Sequence, residues 1–340
     1  MVEEFMSRYS SYSFKAFIAM PLFLLSLSAC SPSQVQTSQA TETYRYAQTT
    51  IKAAAISSDG LLSLIAEPKQ ICLWNNKSKQ QQMPCITGKD AEHIELVGIS
   101  ASRQYFYTSN QMVVRLYQLQ ANKRMILVNE WYADNNIIND IAISANGDTL
   151  LLGYRNGQAS IINTKTAEKS VFQQHRLDIN AVALSADGQL AFTGSSDKTA
   201  TVWKTGDGEK TAVYQHRTRV NHVDISDDGR LAFAIDSIND RAFWQIGGKN
   251  ETELSELQTS LKFLEINHSA FSADKRHFLT GSPKQKIMLW RISDGELVGQ
   301  WQSAKIGRSS VLQVAFASPN NIAVITSDGN HQVFPLTLLN

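Results

Sequence analysis

An internal repeat with a period of 41 to 46 residues constrains this chain more than any other feature. Each copy starts with a short apolar run, which is followed by a turn that usually contains a serine. An apolar or aromatic residue closes a third run, 17 or 18 residues after the serine position. The serine position is occupied by Ser57, Ser100, Ser144, Ser185, Ser226, Ser272 and, in the last copy, Ala317. The closing position is occupied by Trp74, Tyr117, Ile162, Trp203, Trp244, Trp290 and Phe334. A period of this length, built from short strands, predicts seven blades of a β-propeller.

The fourth copy, residues 175–203, is the most regular. Its first two runs alternate apolar with polar or small residues, which predicts half-buried strands. The Asp187-Gly188 pair between these runs is a strong short-range signal for a hairpin. A strand pair of this kind is not stable alone, so we expect it to pack between neighbouring copies.

The fourth copy resembles a WD repeat (Trp-Asp repeat), and the resemblance extends in weaker form over residues 42–340. It implies that His175 precedes the first strand, that Asp197 lies in the turn between the second and third strands, and that Trp203 ends the third. In the family, these residues join a hydroxyl group of the second strand, here Thr193 or Ser195, in a hydrogen-bonded set. Each of these polar groups would be costly to bury alone, so we interpret the set as structural rather than catalytic.

The other copies depart from the family pattern. Trp203 is followed by Lys204 where the family has Asp, and only His216, before the fifth copy, repeats the histidine. The position of Asp197 is occupied elsewhere by Pro68, Ile238 or Lys284. Most blades are therefore expected to depend on packing and strand pairing, and a related propeller family stays open as an alternative.

The predicted fold is all-β, a seven-bladed β-propeller of four-stranded antiparallel blades. The last copy supplies only three strands, around residues 311–316, 321–326 and 331–336. Residues 43–48 precede the first copy and alternate as a strand does. We predict that this N-terminal strand pairs with the strand near residues 332–336 and closes the ring, as in family members. Closure removes an exposed sheet edge.

The N-terminus reads as a targeting segment, residues 1–29. Residues 16–27 are apolar and follow two basic residues, and the run is too short for a comfortable membrane span. The Leu-Ser-Ala-Cys motif that ends at Cys30 resembles the lipobox of bacterial lipoproteins. The resemblance implies that Cys30 is acylated and becomes the mature N-terminus. An ordinary cleaved signal and an uncleaved anchor are the alternatives.

Residues 30–41 are rich in Ser, Gln, Thr and Ala, which predicts a flexible tether before the propeller of residues 42–340. Ser31, rather than Asp, follows the lipobox cysteine, and by the same resemblance this favours the outer membrane over the inner one. We therefore expect a propeller in the periplasm that is attached to the outer membrane by its N-terminal lipid. Several acyl chains would make that attachment stable.

Two further cysteines, Cys72 and Cys85, both fall in the first blade. They lie nearly opposite each other across the predicted hairpin of the third and fourth strands, and a secreted compartment permits disulfides. A bridge between them is predicted, with two buried free thiols as the alternative. No zinc site is predicted, because the chain has neither a CxxC pair nor a matching histidine pair.

Catalytic motifs are absent from the sequence: there is no phosphate-binding loop, nucleophile elbow or HExxH motif. Lys and Arg number 32 against 31 Asp and Glu, which gives no sign of a nucleic-acid-binding surface. His222 and His268 share one repeat position and are expected to approach the central channel as part of a polar lining. No cofactor, metal or catalytic residue is predicted.

A partner is expected to bind where the loops between blades emerge, on one face of the ring. Asp90, Glu92 and Asp134 are expected on one side of that face, opposite the basic residues. Charge asymmetry and aromatic residues favour a protein partner, with a merely solvated rim as the alternative. The candidate partner residues are Trp131, Tyr132, Arg176, Arg217, Arg219, Lys305 and Arg308.

The functional prediction is a monomeric, non-enzymatic scaffold for protein–protein interaction, attached by lipid in a bacterial cell envelope. It rests largely on the family resemblance, because a fold does not determine a function. One alternative is an accessory factor in outer-membrane protein assembly. Another is a ligand-binding or hydrolytic propeller that uses the central channel.

Overall fold

Seven antiparallel sheets follow one another along the chain, and each contains one copy of the repeat. The computed structural model describes residues 35–238, 240–247, 252–261, 263–304, 309–318 and 320–337. The predicted seven-bladed, all-β propeller is confirmed. The expected signal peptide and Cys30 lie outside the described residues. No helix among the residues described is long and apolar enough to cross a membrane.

Within each blade, the four strands are ordered from the central channel outwards. The innermost strands are β2 (Ala53–Ile56), β7 (Leu96–Ile99), β11 (Ile138–Ile143), β15 (Ile179–Leu184), β19 (Val220–Ile225), β23 (His268–Phe271) and β27 (Val311–Ser318). The second strands are β3 (Leu62–Glu67), β8 (Tyr105–Ser109), β12 (Thr149–Tyr154), β16 (Leu190–Ser195), β20 (Leu231–Asp236), β24 (His277–Gly281) and β28 (Asn321–Thr326).

The third strands carry the closing aromatic or apolar residue of each repeat. They are β4 (Gln70–Asn75), β9 (Val113–Leu119), β13 (Gln158–Asn163), β17 (Thr199–Lys204), β21 (Arg241–Gln245), β25 (Lys286–Arg291) and β29 (Asn330–Pro335). The outermost strands are β5 (Gln80–Gln81) with β6 (Ile86–Thr87), β10 (Met125–Tyr132), β14 (Lys169–Gln173), β18 (Lys210–Gln215), β22 (Thr252–Glu256), β26 (Leu297–Gln302) and β1 (Glu42–Arg45).

The N-terminal strand closes the ring as predicted. Strand β1 pairs antiparallel with β29, with Glu42 opposite Val333 and Arg45 opposite Asn330. The last blade therefore takes its outermost strand from the start of the chain, and its sheet order is β1-β29-β28-β27. This pairing joins the two ends of the ring and covers the edge that β29 would otherwise expose.

Part of the expected tether lies against the propeller. The Gln36 backbone N–H donates to the Val298 carbonyl, and its own carbonyl accepts from the Gln300 N–H. The Ser38 hydroxyl accepts a hydrogen bond of 3.0 Å from the Trp301 indole. Residues 36–40 thus form a strap over the sixth blade, and polar composition alone did not indicate that its amides would find partners there.

The repeated serine has a local structural role at the hairpin between the first two strands. In the fourth blade, the Ser185 hydroxyl donates to Asp187 at 2.6 Å and accepts the Leu190 N–H at 3.0 Å. The following Gly188 has a φ of 72°, which glycine adopts without steric cost. Equivalent serine contacts recur at Ser57, Ser144, Ser226 and Ser272.

Asparagine side chains connect neighbouring blades near the channel. Asn139 donates to the Ile179 carbonyl, and Asn180 donates to the Val220 carbonyl, at 2.9 and 2.8 Å. Each is the second residue of its blade's first strand and reaches the first residue of the next blade's first strand. These contacts fix the spacing between blades while apolar side chains, such as the fully buried Trp203, fill the space between sheets.

Two faces of the ring follow from the strand order. The loops between blades and the turns between second and third strands emerge together, and we call this the upper face. The hairpins between first and second strands and the turns between third and fourth strands form the lower face. Every candidate partner residue that the structure describes belongs to the upper face or to a strand end beside it.

The first blade contains a disulfide bond between Cys72 and Cys85, with their Cα atoms 4.5 Å apart. Cys72 lies in β4, but Cys85 does not lie in a continuous fourth strand as expected. It falls between β5 and β6, two short segments that both pair with β4. The disulfide joins this interrupted edge to the third strand.

Candidate functional site

The fourth blade brings His175, Thr193, Asp197 and Trp203 together. His175 Nδ1 lies 3.2 Å from Asp197 Oδ2, and its Nε2 lies 2.8 Å from the Thr193 hydroxyl. The Trp203 indole donates to the same hydroxyl at 3.3 Å. Because a carboxylate only accepts hydrogen bonds, Nδ1 carries the hydrogen and Nε2 accepts from Thr193. The set links the loop before the blade to its second and third strands.

Ser195 has a different role from Thr193. Its hydroxyl donates to the Leu177 carbonyl at 3.1 Å and accepts the Asp197 N–H at 3.0 Å. Ser195 therefore shapes the turn that presents Asp197, whereas Thr193 is the hydroxyl that contacts the imidazole. The sequence left both residues open, because both lie on the same strand within two residues of each other.

Asp197 is ionised in this set. Burial alone would raise the pKa of the Asp197 carboxyl, but hydrogen bonds from His175, Thr199 and the Arg176 N–H hold that pKa well below its usual range. The His175 side chain is fully buried and the Asp197 side chain is nearly so. No atom of the set is free to meet a substrate, which fits a structural role.

The fifth blade repeats the histidine without its partners. Ala234 occupies the position of Thr193, so the His216 ring has no hydroxyl to contact. Both His216 ring nitrogens lack hydrogen-bond partners, although the side chain is fully buried. The nearest carboxylate oxygen, Asp240 Oδ2, lies 3.7 Å from Nδ1, beyond hydrogen-bond distance. Burial lowers the pKa of His216, an effect that the neighbouring carboxylates of Asp240 and Asp236 and a weak contact with the Asp240 backbone oppose.

The aromatic part of the predicted partner face divides into one buried and one exposed residue. Trp131 is only 8% exposed, and its indole donates to the Ala167 carbonyl at 3.3 Å. It packs in the core between blades and does not present a binding surface, which corrects the prediction. Tyr132, the next residue in the strand, points outwards, and its hydroxyl donates to Glu130. Strand alternation separates the two side chains.

The basic part of the face lies around the fourth and fifth blades. Arg176, Arg217 and Arg219 are exposed, and Arg219 donates to the Ser237 hydroxyl at 3.0 Å. Lys305 and Arg308 lie outside the described residues. On the acidic side, Asp134 pairs with Lys169 and Asp90 with Arg115, so part of that negative charge is neutralised.

Exposed apolar side chains on the upper face extend the candidate surface beyond the sequence prediction. Five large apolar residues lie there with 47% to 63% of their surface exposed, whereas the described lower-face loops contain one exposed large apolar residue, Leu61, at 37%. The sequence predicts only one of the five, Tyr132, because a single apolar residue in a turn produces no periodic pattern. The five are Met112, Tyr132, Leu177, Ile238 and Phe263.

Phe263 has an unusual backbone. Its φ of 71° lies in the left-handed region, which bulky side chains rarely adopt. The residue lies in the loop between the fifth and sixth blades. A strained backbone that displays an exposed aromatic ring is a feature of functional loops more often than of scaffolding.

The central channel is lined asymmetrically, with a cavity volume of about 520 Å³ at its polar end. The first blade contributes small apolar residues such as Ala53 and Ala55, whereas the third, fifth and sixth contribute Asp140, Asp224 and His268. Both His222 and His268 line the channel, as the sequence indicated.

A hydrogen-bonded chain crosses from the fifth to the sixth blade in this channel. His222 Nε2 lies 2.7 Å from the Ser269 hydroxyl, which donates to Asp224 Oδ2 at 2.6 Å. Burial raises the pKa of Asp224 to about 7, and burial lowers the pKa of His222 to about 3. The serine gives its hydrogen to the carboxylate rather than to the imidazole. This order differs from that of a catalytic triad, in which histidine stands between the two.

Burial also shifts two other channel groups. It raises the pKa of Asp140 to about 6, an effect that hydrogen bonds from the Val182 and Ile141 N–H groups oppose. It lowers the pKa of His268 to about 4. The channel therefore holds neutral imidazoles beside carboxyl groups that are protonated more readily than usual. Such an environment favours hydrogen bonds between polar groups over the accumulation of charge.

Comparison with known proteins identifies one repeat by sequence. Residues 167–204 match the family described as WD domain, G-beta repeat. The match runs from the end of the third blade through the third strand of the fourth, and it contains His175, Thr193, Asp197 and Trp203. No curated protein matches the chain. The matched repeat and the seven-bladed ring together support a WD-repeat propeller.

Proposed function

We propose that this chain is a non-enzymatic scaffold for protein–protein interaction, held in a bacterial cell envelope by a lipid on Cys30. The observation that carries the scaffold part is the distribution of exposed apolar side chains. Five of them lie on the upper face, and three arginines, Arg176, Arg217 and Arg219, lie beside them. Apolar and arginine side chains on one rim are typical of surfaces that bind proteins.

The chemistry of the fourth blade and the channel supports the absence of catalysis in this proposal. The His175 set is buried and fully paired, and the channel serine is hydrogen-bonded to a carboxylate. The channel serine gives its hydrogen to Asp224 and not to His222, so the channel lacks the serine-to-histidine proton donation of a catalytic triad.

The scaffold proposal is tested by site-specific photo-crosslinking in the native envelope. A photoreactive residue at Leu177 or Tyr132 is expected to give the same discrete protein adduct, because both positions lie on the upper face. The matched control is Leu61, an exposed apolar residue on the lower face. No adduct from either upper position, or an equal adduct from Leu61, would contradict the proposal. An adduct with a component of outer-membrane protein assembly would establish that more specific role.

Charge reversal tests the basic part of the face. Arg217→Glu with Arg219→Glu is expected to weaken the Leu177 adduct several-fold, because both side chains are exposed beside it. Arg230→Glu, a comparable exposed arginine on the lower-face hairpin of the same blade, is the control and should leave the adduct unchanged. An unchanged adduct in the double variant would remove these arginines from the binding surface.

The lipid anchor has its own test. Metabolic labelling with a clickable fatty acid is expected to label the wild-type chain, and Cys30→Ser should lose both the label and the sedimentation with membranes. The disulfide between Cys72 and Cys85 leaves no other cysteine thiol to accept a fatty acid. A Cys30→Ser chain that keeps its label would show that the lipid, if present, is attached elsewhere.

The channel favours a second candidate function, the binding of a small polar molecule. The His222–Ser269–Asp224 chain supplies donors and acceptors on one side of a cavity wide enough for such a molecule. Native mass spectrometry of the purified protein tests this candidate. A co-purifying mass that is lost in Ser269→Ala would support it, and a bare chain mass would count against it.

A further inference from the structure

The His216 pocket on the upper face of the fifth blade holds a buried imidazole whose packing against Trp244 does not account for its two ring nitrogens. His216 is fully buried, and neither ring nitrogen makes a hydrogen bond of regular geometry, its one backbone contact being a weak one with Asp240. An unpaired buried imidazole is costly, because it has left water without a replacement partner. The equivalent His175 in the fourth blade is paired at both nitrogens. A missing partner is therefore the feature that needs explanation.

Two carboxylates face the same pocket. Ligand atoms of His216, Asp236 and Asp240 all lie within 4.8 Å of one another. Asp236 is held in place by the N–H groups of Thr218, Ile238 and Asp240, which bond to its two oxygens. Asp240 follows in the turn between β20 and β21, and its side chain remains 28% exposed. One carboxylate is thus fixed and the other can be reached from solvent.

We propose that His216, Asp236 and Asp240 form a binding site for one divalent transition-metal ion, with Zn²⁺ as the best fit. An imidazole nitrogen with two carboxylate oxygens suits zinc better than calcium or magnesium, which prefer oxygen ligands alone. Three protein ligands leave a fourth tetrahedral position for water. Zinc bonds of about 2.0–2.2 Å require the ligand atoms to move closer, and the exposed Asp240 side chain is the one free to do so.

The site depends on a local change in the turn. In the fourth blade, the turn between second and third strands carries Asp197 at the centre, where it contacts His175. In the fifth blade, Ile238 takes that place, and the carboxylates move to the two ends of a longer turn, at Asp236 and Asp240. The carboxylates therefore flank the imidazole instead of bonding to it directly. The loss of Thr193, replaced by Ala234, completes the difference.

Isothermal titration calorimetry tests the site with ZnCl₂ and the full-length protein, purified in detergent without an affinity tag and freed of metal by a chelator. We expect one Zn²⁺ per chain, and binding weakened more than about 100-fold in Asp240→Asn, because even second-shell changes cost up to that factor. The control is Asp227→Asn, an exposed carboxylate on the lower-face hairpin of the same blade, which should bind as the wild type does.

Three outcomes would overturn the proposal: no saturable Zn²⁺ binding, equal binding by Asp240→Asn, or equal affinity for Ca²⁺. Circular dichroism establishes that Asp240→Asn is folded. If it is not, X-ray absorption of the zinc-loaded wild type decides, because the site predicts one imidazole among oxygen ligands. A spectrum with sulfur, with several imidazoles or with none would place the ion elsewhere.

Discussion

The fourth and fifth blades start from the same pattern and satisfy it differently. Both place a histidine before the first strand and a tryptophan at the end of the third. In the fourth, Thr193 and Asp197 complete a closed hydrogen-bonded set around His175. In the fifth, the hydroxyl is lost and the carboxylates flank His216 without bonding to it. The loss of the hydroxyl and the displacement of the carboxylates thus leave the buried His216 ring without the hydrogen bonds that His175 makes.

The fifth blade replaces the polar set with aromatic packing. Tyr214, from the outermost strand of the fourth blade, stacks on Trp244 with ring centroids 4.3 Å apart, and the His216 ring meets the same indole edge-on at 5.8 Å. The fourth-blade tryptophan has no such stack: Trp203 meets Phe172 of the third blade at a tilt, with ring centroids 5.5 Å apart. The two blades therefore share one backbone arrangement, which different side-chain contacts stabilise.

The largest expected effect comes from removing the two histidines one at a time. His175→Ala is expected to lower the free energy of unfolding by about 3–5 kcal/mol, because it empties a fully buried site and removes the hydrogen bonds of the ring to Asp197 and Thr193. His216→Ala, the matched change, should cost about 1–2 kcal/mol, because it removes packing but no hydrogen bond. Chemical denaturation of both variants measures the difference. Equal costs would show that the His175 set adds nothing beyond packing.

A smaller loss is expected from Thr193→Ala, which gives the fourth blade the residue of the fifth. The change leaves the His175 Nε2 atom and the Trp203 indole without their shared hydroxyl. Two unsatisfied buried groups predict a cost of about 2–3 kcal/mol in the free energy of unfolding. Thr193→Val keeps the shape and is the control: it should cost nearly as much, because the lost hydroxyl and not the cavity is the cause. A variant with wild-type stability would refute the shared-partner interpretation.

The sequence predicted the ring because its signals are local and periodic. Ser185 with Asp187 and Gly188 fixes a hairpin within six residues, and the same arrangement recurs along the chain. The ring closure followed from counting strands in the last copy. Repeated local signals of this kind do not depend on contacts between distant residues, so one sequence is enough to recognise them.

The candidate sites depended on contacts that no local pattern contains. Trp131 and Tyr132 are adjacent in sequence, and only the register of β10 decides which is buried. The strap residue Gln36 bonds to Val298, and a polar composition says nothing about that partner. The environment of His216 depends on Ala234, eighteen residues away, and on the length of one turn. The sequence correctly predicted that His216 precedes the first strand of the fifth blade, but it did not predict which groups surround the ring.

The pH dependence of stability tests the charged half of the fourth-blade set. The folded-state pKa of Asp197 is lowered, so its contribution is present above the unfolded pKa of about 4 and is lost as pH falls further. Asp197→Asn should cost about 2 kcal/mol at pH 7, because hydrogen bonds to a charged acceptor are lost. The gap between wild type and variant should shrink below about pH 4, as measured by denaturation from pH 7 to pH 3.5.

The control for this pH series is Val202→Ala, a fully buried change in the same blade that involves no titrating group. Its cost should stay constant across the pH range. A gap for Asp197→Asn that is equally constant would mean that the carboxylate is not held in its charged form by the set.

The smallest expected effect is a gain in the free energy of unfolding. It comes from a substitution that makes the fifth blade more similar to the fourth. Ala234→Thr would place a hydroxyl where the His216 Nε2 atom has no partner. Because Ala234 is fully buried, the added volume carries its own cost, so Ala234→Val serves as the isosteric control. We expect the Thr variant to exceed the Val variant by about 1 kcal/mol in free energy of unfolding, the value of one hydrogen bond.

The same pair of variants separates the structural and metal-binding interpretations of His216. A hydroxyl that accepts from Nε2 fixes the hydrogen there and leaves Nδ1, the nitrogen nearer Asp240, free to bind a metal. Ala234→Thr should then bind Zn²⁺ more tightly than Ala234→Val. If the Thr variant is more stable but binds Zn²⁺ no better, His216 is a remnant of the fourth-blade pattern. If both stability and zinc affinity rise, the fifth blade has exchanged a hydrogen-bonded set for a metal site.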